Sequence, residues 1–393
     1  MTQRDAVPRI LPEFSMNLFR LFAAALLLPS FAIAEEPKAY HVYFGCNTSP
    51  KGSKGIYRSE FDPKTGKLSE PELAVEVGNP SFVHIAPDGK TLYSVGEATG
   101  KDGGGVYCFK LDPATGKLSE QVSLTSGSAG PCHISTDTAN TMAVVSNYGG
   151  GSYAFFTLKP DGSLDKRIAH EVMPIIKVND KDKKANGHSG FFDSTGTMIL
   201  CCNLGHDRVQ LFRKTAPDKI EANDPAFIQF PAGSGPRHLH IAPSNDIAFV
   251  NGELNMTVNV VKLDMKANKY EVIQTLSTLR DGESPAKGLS TAECRIHPNG
   301  KFVYVSNRGH NTIAVFKWDD AAKKLTAAGH ITGDIKTPRN FNITPDGKWM
   351  LIASQDGGKV GVYEIDQTTG MAKETENSAK IDKCVCVKFL AKP

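Results

Sequence analysis

Residues 233–253, GSGPRHLHIAPSNDIAFVNGE, decide how this chain is read. A glycine-rich approach leads into a strand-like run, RHLHI. A Pro-Ser-Asn turn follows, and a second apolar run, IAFVN, leads back out. Runs of this kind, bounded by turn residues, mark a hairpin of two antiparallel strands. Antiparallel pairing brings the outer ends together. Arg237 and His238, entering the first strand, are therefore expected beside Glu253, which leaves the second. A guanidinium, an imidazole and a carboxylate at one sheet end are more chemistry than a hairpin needs for folding.

The hairpin recurs along the chain. Its turn position falls at Pro87, Thr138, Ser194, Pro243, Pro298 and Pro345, at intervals of 51, 56, 49, 55 and 47 residues. Each interval holds one four-stranded unit. Inner strands are expected to begin near Phe82, His133, Ser189, His238, Glu293, Asn340 and Cys384. Second strands centre on YHVYFG, TLYSVG, TMAVVS, TMILCC, IAFVNG, KFVYVS and WMLIAS. Third strands are GIYRSEFD, GVYCFKLD, SYAFFTLK, RVQLFRK, TVNVVKLD, TIAVFKW and KVGVYEID. Each type occurs seven times. The chain begins on a second strand and ends on an inner one, so the first unit lacks what the last strand offers. Joining them closes a ring and leaves no bare edge. The expected fold is an all-β, seven-bladed propeller with four-stranded blades, closed by a C-terminal inner strand on the N-terminal blade. Residues 177–184, rich in lysine, read as a solvated insertion before blade four.

Composition bounds the rest. The 393 residues carry a net charge of +3, which argues against a nucleic-acid partner. Residues 16–34, MNLFRLFAAALLLPSFAIA, have a positive start, a short apolar run and an Ala-Ile-Ala end, the pattern of a cleaved export signal. Met16 is an alternative start. The expected division is residues 1–34 as leader and 35–393 as propeller, with the mature protein exported, periplasmic or secreted, monomeric and free of the membrane. The eight cysteines show no zinc-type spacing, and no metal or cofactor is expected. Cys46 ends the second strand predicted to pair with the strand holding Cys384 and Cys386, so a disulfide stapling the ring is one possible arrangement. The glycines at 149–151 and 103–105 precede no helix, and tight turns are expected there rather than a phosphate loop. His84, His240 and His297, deeper in inner strands, read as structural.

In a propeller the start of each inner strand and the end of each second strand share one face. Six residues before the turn position stand Ser81, Cys132, His188, Arg237, Ala292 and Arg339. Five before stand Phe82, His133, Ser189, His238, Glu293 and Asn340. Nine after stand Gly96, Asn147, Asn203, Gly252, Asn307 and Ser354, and ten after stand Glu97, Tyr148, Leu204, Glu253, Arg308 and Gln355. These columns gather His188, Arg237, Glu253, Arg308 and Arg339 at one mouth. Structural ion pairs in a wet channel would also account for single members.

The motifs GPCHIS, SNYGGGS, GSGPRHL, VNGEL, HPNGKFVYVSNRGHNTIAVF and TPRNFNITPDG resemble those of the seven-bladed lactonase family, whose named activity is 6-phosphogluconolactonase and which is related to propeller carboxy-muconate cycloisomerases. The resemblance spans about residues 40–390. It implies a functional quartet at His188, Arg237, Glu253 and Arg308. The chain departs from the family at Gly252, where the motif has asparagine, and in its export signal. The expected activity is hydrolysis of a sugar-derived lactone by direct water attack. His188 or Glu253 would act as base, with His188 preferred because Arg237 would weaken Glu253. Arg237 and Arg308 would hold the carbonyl oxygen and any substrate anion. Arg339, His238 and Glu293 are further candidates for substrate binding, and Asn147 and Asn307 for orienting sugar hydroxyls. The expected partner is a small lactone or sugar acid. A non-catalytic sugar- or peptide-binding propeller and a muconate-type cycloisomerase are the rival readings.

Overall fold

The computed structural model describes residues 39–98, 103–178 and 180–393. The expected leader at residues 16–34 lies outside the described residues. Within them, seven antiparallel sheets form seven blades. Six follow chain order from inner to outer strand. Blade two, for example, runs Val83–Ile85, Thr91–Gly96, Gly105–Leu111 and Leu118–Thr125. Blade one instead takes the C-terminal strand Cys384–Ala391 as its inner member, paired in register with Tyr40–Cys46 from Tyr40↔Ala391 to Cys46↔Cys384. Each inner strand packs beside that of the next blade, and the last beside the first, which closes the ring.

Burial follows position in the blade. The second strands, such as Tyr40–Cys46 and Met198–Asn203, are buried along their whole length because blades cover both faces. Outer strands such as Lys269–Ser277 alternate between exposed and half-buried residues, as edge strands facing water do. Neighbouring blades are also latched by a repeated side-chain bond. Tyr43, Tyr93 and Tyr304, one in each of three second strands, donate hydroxyl bonds to the carbonyls of Gly116, Gly162 and Gly370 in the outer turn of the following blade, at 2.6, 2.5 and 2.8 Å. Those glycines sit at φ +69°, +82° and +75°, a conformation glycine adopts without the Cβ penalty. Trp349 closes the series across the ring's seam, donating its indole N–H to the Pro63 carbonyl at 2.8 Å.

One expectation needs adjustment. All eight cysteines are free and buried, so the ring is closed without a disulfide; Cys46 and Cys384 face each other as thiols. The lysine-rich insertion is largely exposed, as expected, and within it Ile176–Val178 and Lys181–Lys183 make a small hairpin. The triple glycine at 149–151 forms the tight turn expected of it.

Candidate functional site at one mouth of the channel

Five of the seven inner strands begin two or three residues earlier than expected, at Pro131, Gly187, Pro236, Ser290 and Pro338, and each carries a bulge there. In blade five Pro236 pairs with Gly252 and Leu239 with Val250, so Arg237 and His238 together oppose Asn251 alone. The same irregularity leaves His188 extra between Gly187 and Ser189, Arg339 between Pro338 and Asn340, and Cys132 between Pro131 and His133. In a regular strand adjacent side chains point to opposite faces. The bulge instead turns both Arg237 and His238 into the channel, a use of bulges found beside active sites.

The resulting pocket is lined by Ser81, Phe82, Glu97, Cys132, His188, Arg237, His238, Arg339, Asn340 and Val385. His188 and Arg237 thus share one mouth. Glu253 bridges two arginines at its rim: its Oε2 lies 2.7 Å from Arg237 Nε, in an ion pair whose angle is too bent for a hydrogen bond, and its Oε1 lies 2.8 Å from Arg308 Nη2. Arg237 also donates to the Ala292 carbonyl, and Arg308 to that of Thr291 at 2.9 Å. Arg339, by contrast, makes no hydrogen bond or ion pair among the described residues. The enclosed space among these groups is about 10 Å³, the size of one water molecule.

Charge states follow from burial and neighbours. Burial opposes ionisation of Glu253, but Arg237 and Arg308 outweigh it and hold its carboxyl below the usual range. It is a firm anion and a weak base. Burial lowers the basicity of Arg237, and Glu253 restores part of it; a guanidinium begins so high that it stays cationic. Burial, then the Arg237 charge, pushes His188 well below 6.5, so its imidazole is neutral. Its Nδ1 lies 3.9 Å from Cys132 Sγ, and the Tyr148 ring meets it edge-on at 5.4 Å. The Cys132–His188 contact is not an activated thiolate. Burial pushes the thiol up to about 12, and the carbonyls of Ser146, Gly187 and His188 crowd the sulfur at 3.7, 3.7 and 3.3 Å.

The structure brings His188, Arg237, Glu253, Arg308, Arg339 and His238 together. It does not bring Asn147 and Asn307. Both are fully buried; Asn147 donates to Ser152 at 3.1 Å, and Asn307 to the Thr278 carbonyl at 2.7 Å. Asn147 thereby clasps the turn that follows its strand, and Asn307 ties its strand to the preceding blade, with a longer bond to Thr312 across its own turn at 3.4 Å. The departure at Gly252 fits the same account. A side chain there would meet Asn255 and Thr257, and Asn255 accepts from Thr257 at 2.7 Å, taking over the clasp. The pocket is therefore not widened at Gly252. Glu293 lies one layer deeper, with its Oε1 3.2 Å from His238 Nδ1. Cys132, Tyr148 and Glu97 were in the aligned columns but were not singled out. Their shared column with Glu253 and Arg308 was the available signal for Tyr148 and Glu97.

Five channel imidazoles are held neutral by burial. His84 is lowered to about 3, His238 and His240 to about 4, and His133 and His188 well below 6.5. An unfolded chain takes these protons near 6.5 and the folded one only at much lower pH. As pH falls the unfolded state binds more protons, so stability is lost on the acid side, at about 1.4 kcal/mol per pH unit for each such histidine. Thermal melts are expected to be flat above about pH 7 and to fall steadily towards about pH 5, before most carboxylates titrate. A melting temperature constant across that window would mean the folded channel accepts these protons.

A closed ring of seven four-stranded sheets, with arginines and a histidine gathered at one mouth, defines the class as a seven-bladed propeller. The chain belongs to the lactonase, seven-bladed beta-propeller family, whose model matches residues 41–389. It is 28% identical over 351 residues to a 6-phosphogluconolactonase of Bacillus subtilis, covering 89% of this chain and 98% of that one. Among solved structures, a putative 6-phosphogluconolactonase of Bacteroides fragilis matches with TM-score 0.81 and 29% identity, covering 90% of this chain and 98% of its own. The periplasmic gluconolactonase of Pseudomonas aeruginosa matches with TM-score 0.83 and 26% identity over 90% and 100% of the two chains.

Proposed function

We propose that this protein hydrolyses a sugar-derived lactone by direct attack of water at the channel mouth. The observation that carries this reading is the convergence of a neutral His188 with the Arg237–Glu253–Arg308 cluster and the uncommitted Arg339. Water attacks the lactone carbonyl while His188 takes its proton. Arg237 and Arg308 stabilise the oxyanion that develops on the carbonyl oxygen. Collapse breaks the bond to the ring oxygen, which receives the proton from His188, and the new acid loses its own proton to solvent.

His188 alone is a poor base, since an imidazolium beside two guanidiniums is unfavourable. A substrate anion resting on Arg339 would offset those charges and raise the histidine's basicity only when substrate is bound. The small volume among these groups supports a reading in which the sugar rests above them, near Tyr148, which is 37% exposed. Membership of the family and the likeness to lactone-hydrolysing relatives support the reaction class. The likeness to a periplasmic protein supports reading residues 16–34 as an export signal, with residues 35–393 as the mature domain.

The test is a panel of aldonolactones, phosphorylated and not, assayed on the mature chain with product identification. Ring-opened acid at rates well above spontaneous hydrolysis is the expected result. Tight binding of the panel without turnover would overturn it in favour of a binding propeller, and muconolactone turnover alone would favour a cycloisomerase.

A further inference from the structure

The channel has a second end. Beneath the mouth, Phe82, His133 and His238 plug it, with ring centroids 4.2 Å apart for Phe82 and His133, 5.4 Å for the two histidines and 5.9 Å for Phe82 and His238. Below this plug, among the later halves of the inner strands, lies a cavity of about 240 Å³ whose lining includes His84, His133, His240, Glu293, Arg295 and Lys388.

Its charged groups are two cations, Lys388 and Arg295, and one carboxylate, Glu293. Lys388 makes no hydrogen bond or ion pair among the described residues; its ammonium rests 4.6 Å from the centre of the Phe82 ring. An unpaired charge in such a place is costly. His133, 1% exposed, receives the Gly190 N–H on Nδ1 at 3.4 Å, which leaves the proton on Nε2, and that atom is buried with no partner. Arg295 donates Nε to the Phe341 carbonyl at 2.8 Å and keeps its Nη2 3.6 Å from Glu293. Glu293 is the lining's one carboxylate, and it is already engaged: besides His238 and Arg295 it accepts from Asn340 and from the Cys294 N–H at 3.1 Å. Two cations and an orphaned imidazole N–H thus face a space whose one carboxylate is already engaged. The volume falls below the usual range for a drug-sized ligand, which limits the occupant to a small ion or sugar acid.

We propose that this cavity is a second binding site, for a small carboxylate- or phosphate-bearing anion, at the end of the channel opposite the lactone mouth. Lys388 supplies the charge, with Arg295 and the His133 Nε2–H as further donors. The site is separate from the proposed lactone pocket, because the plug and Glu293 stand between them.

Titration of the full chain with inorganic phosphate, and in parallel with gluconate, at constant ionic strength tests this. Two classes of site are expected for at least one probe. Lys388→Met should weaken one class at least about tenfold, the loss of one charge-assisted contact, while Lys388→Arg retains it and lactone hydrolysis by both variants is unchanged. Arg339→Gln should weaken only the other class. In the unaltered chain the bound anion should also slow acetylation of Lys388 by acetic anhydride, read by peptide mass spectrometry. An isotherm that Lys388→Met leaves unchanged, or no protection of Lys388 by either anion, overturns the proposal. Neither readout depends on lactone turnover, so its failure is distinct from failure of the proposed activity.

Discussion

Replacing His188 with alanine is expected to lower kcat/KM for the preferred lactone at least about 100-fold, the lower end for losing a general base. The imidazole sits on a bulge, so its removal leaves the pairing of Gly187 with Asn203 and Ser189 with Cys202 in place, and the fold should survive. Arg237→Ala is expected to cost as much, through the oxyanion. It needs a control, because it also strips a partner from the largely buried Glu253; breaking such a pair costs about 3–5 kcal/mol. Arg237→Lys keeps the charge and the fold but loses the planar fork, and it should remain strongly impaired. The acid limb of kcat/KM should lie below 6.5, since burial and Arg237 hold the His188 imidazole neutral. Near-normal rates in folded His188→Ala protein would remove the histidine from the mechanism.

The second large effect concerns the ring. A chain ending at Lys383 loses the strand Cys384–Ala391 and bares Tyr40–Cys46, which is buried along its whole length. Cys384, Val385, Cys386 and Val387 are each 3% exposed or less. Burial of a valine side chain alone contributes about 1.5–3 kcal/mol, and the backbone pairing of a whole strand goes with it. The loss approaches the roughly 5–15 kcal/mol that holds a typical domain together. The truncated chain is expected to be insoluble or to melt without cooperativity by circular dichroism. Val387→Asp in the full-length chain is the milder version, expected to lower the melting temperature sharply. A cooperative melt of the truncated chain within a few degrees of the intact one would show that six blades and an incomplete seventh suffice.

The ring was legible from periodicity, because each blade repeats the same apolar runs and turns, and the mismatch between first and last strands admits one simple closure. The gathering of His188, Arg237, Glu253, Arg308 and Arg339 was legible for the same reason, once the repeats were aligned. What alignment did not reveal was the bulge. It adds a residue without changing the pattern of apolar positions, so nothing in the alternation explains how the neighbours Arg237 and His238 both enter the channel. Asn147 and Asn307 were misread because a polar residue at a strand end looks the same whether it lines a pocket or clasps the next turn. The orphaned Lys388 reads in the chain as one more lysine near a terminus. Its isolation depends on what six other strands do not supply.

The seam between Tyr40–Cys46 and Cys384–Ala391 also sets an order of assembly. The first blade's core strand, Tyr40–Cys46, is synthesised long before its partner, Cys384–Ala391. Six sheets can pair within themselves as they are made, while the first keeps an open edge until Cys384–Ala391 is made. A circular permutant joining the old termini and opened in a turn inside another blade would move that delay elsewhere without altering the finished ring.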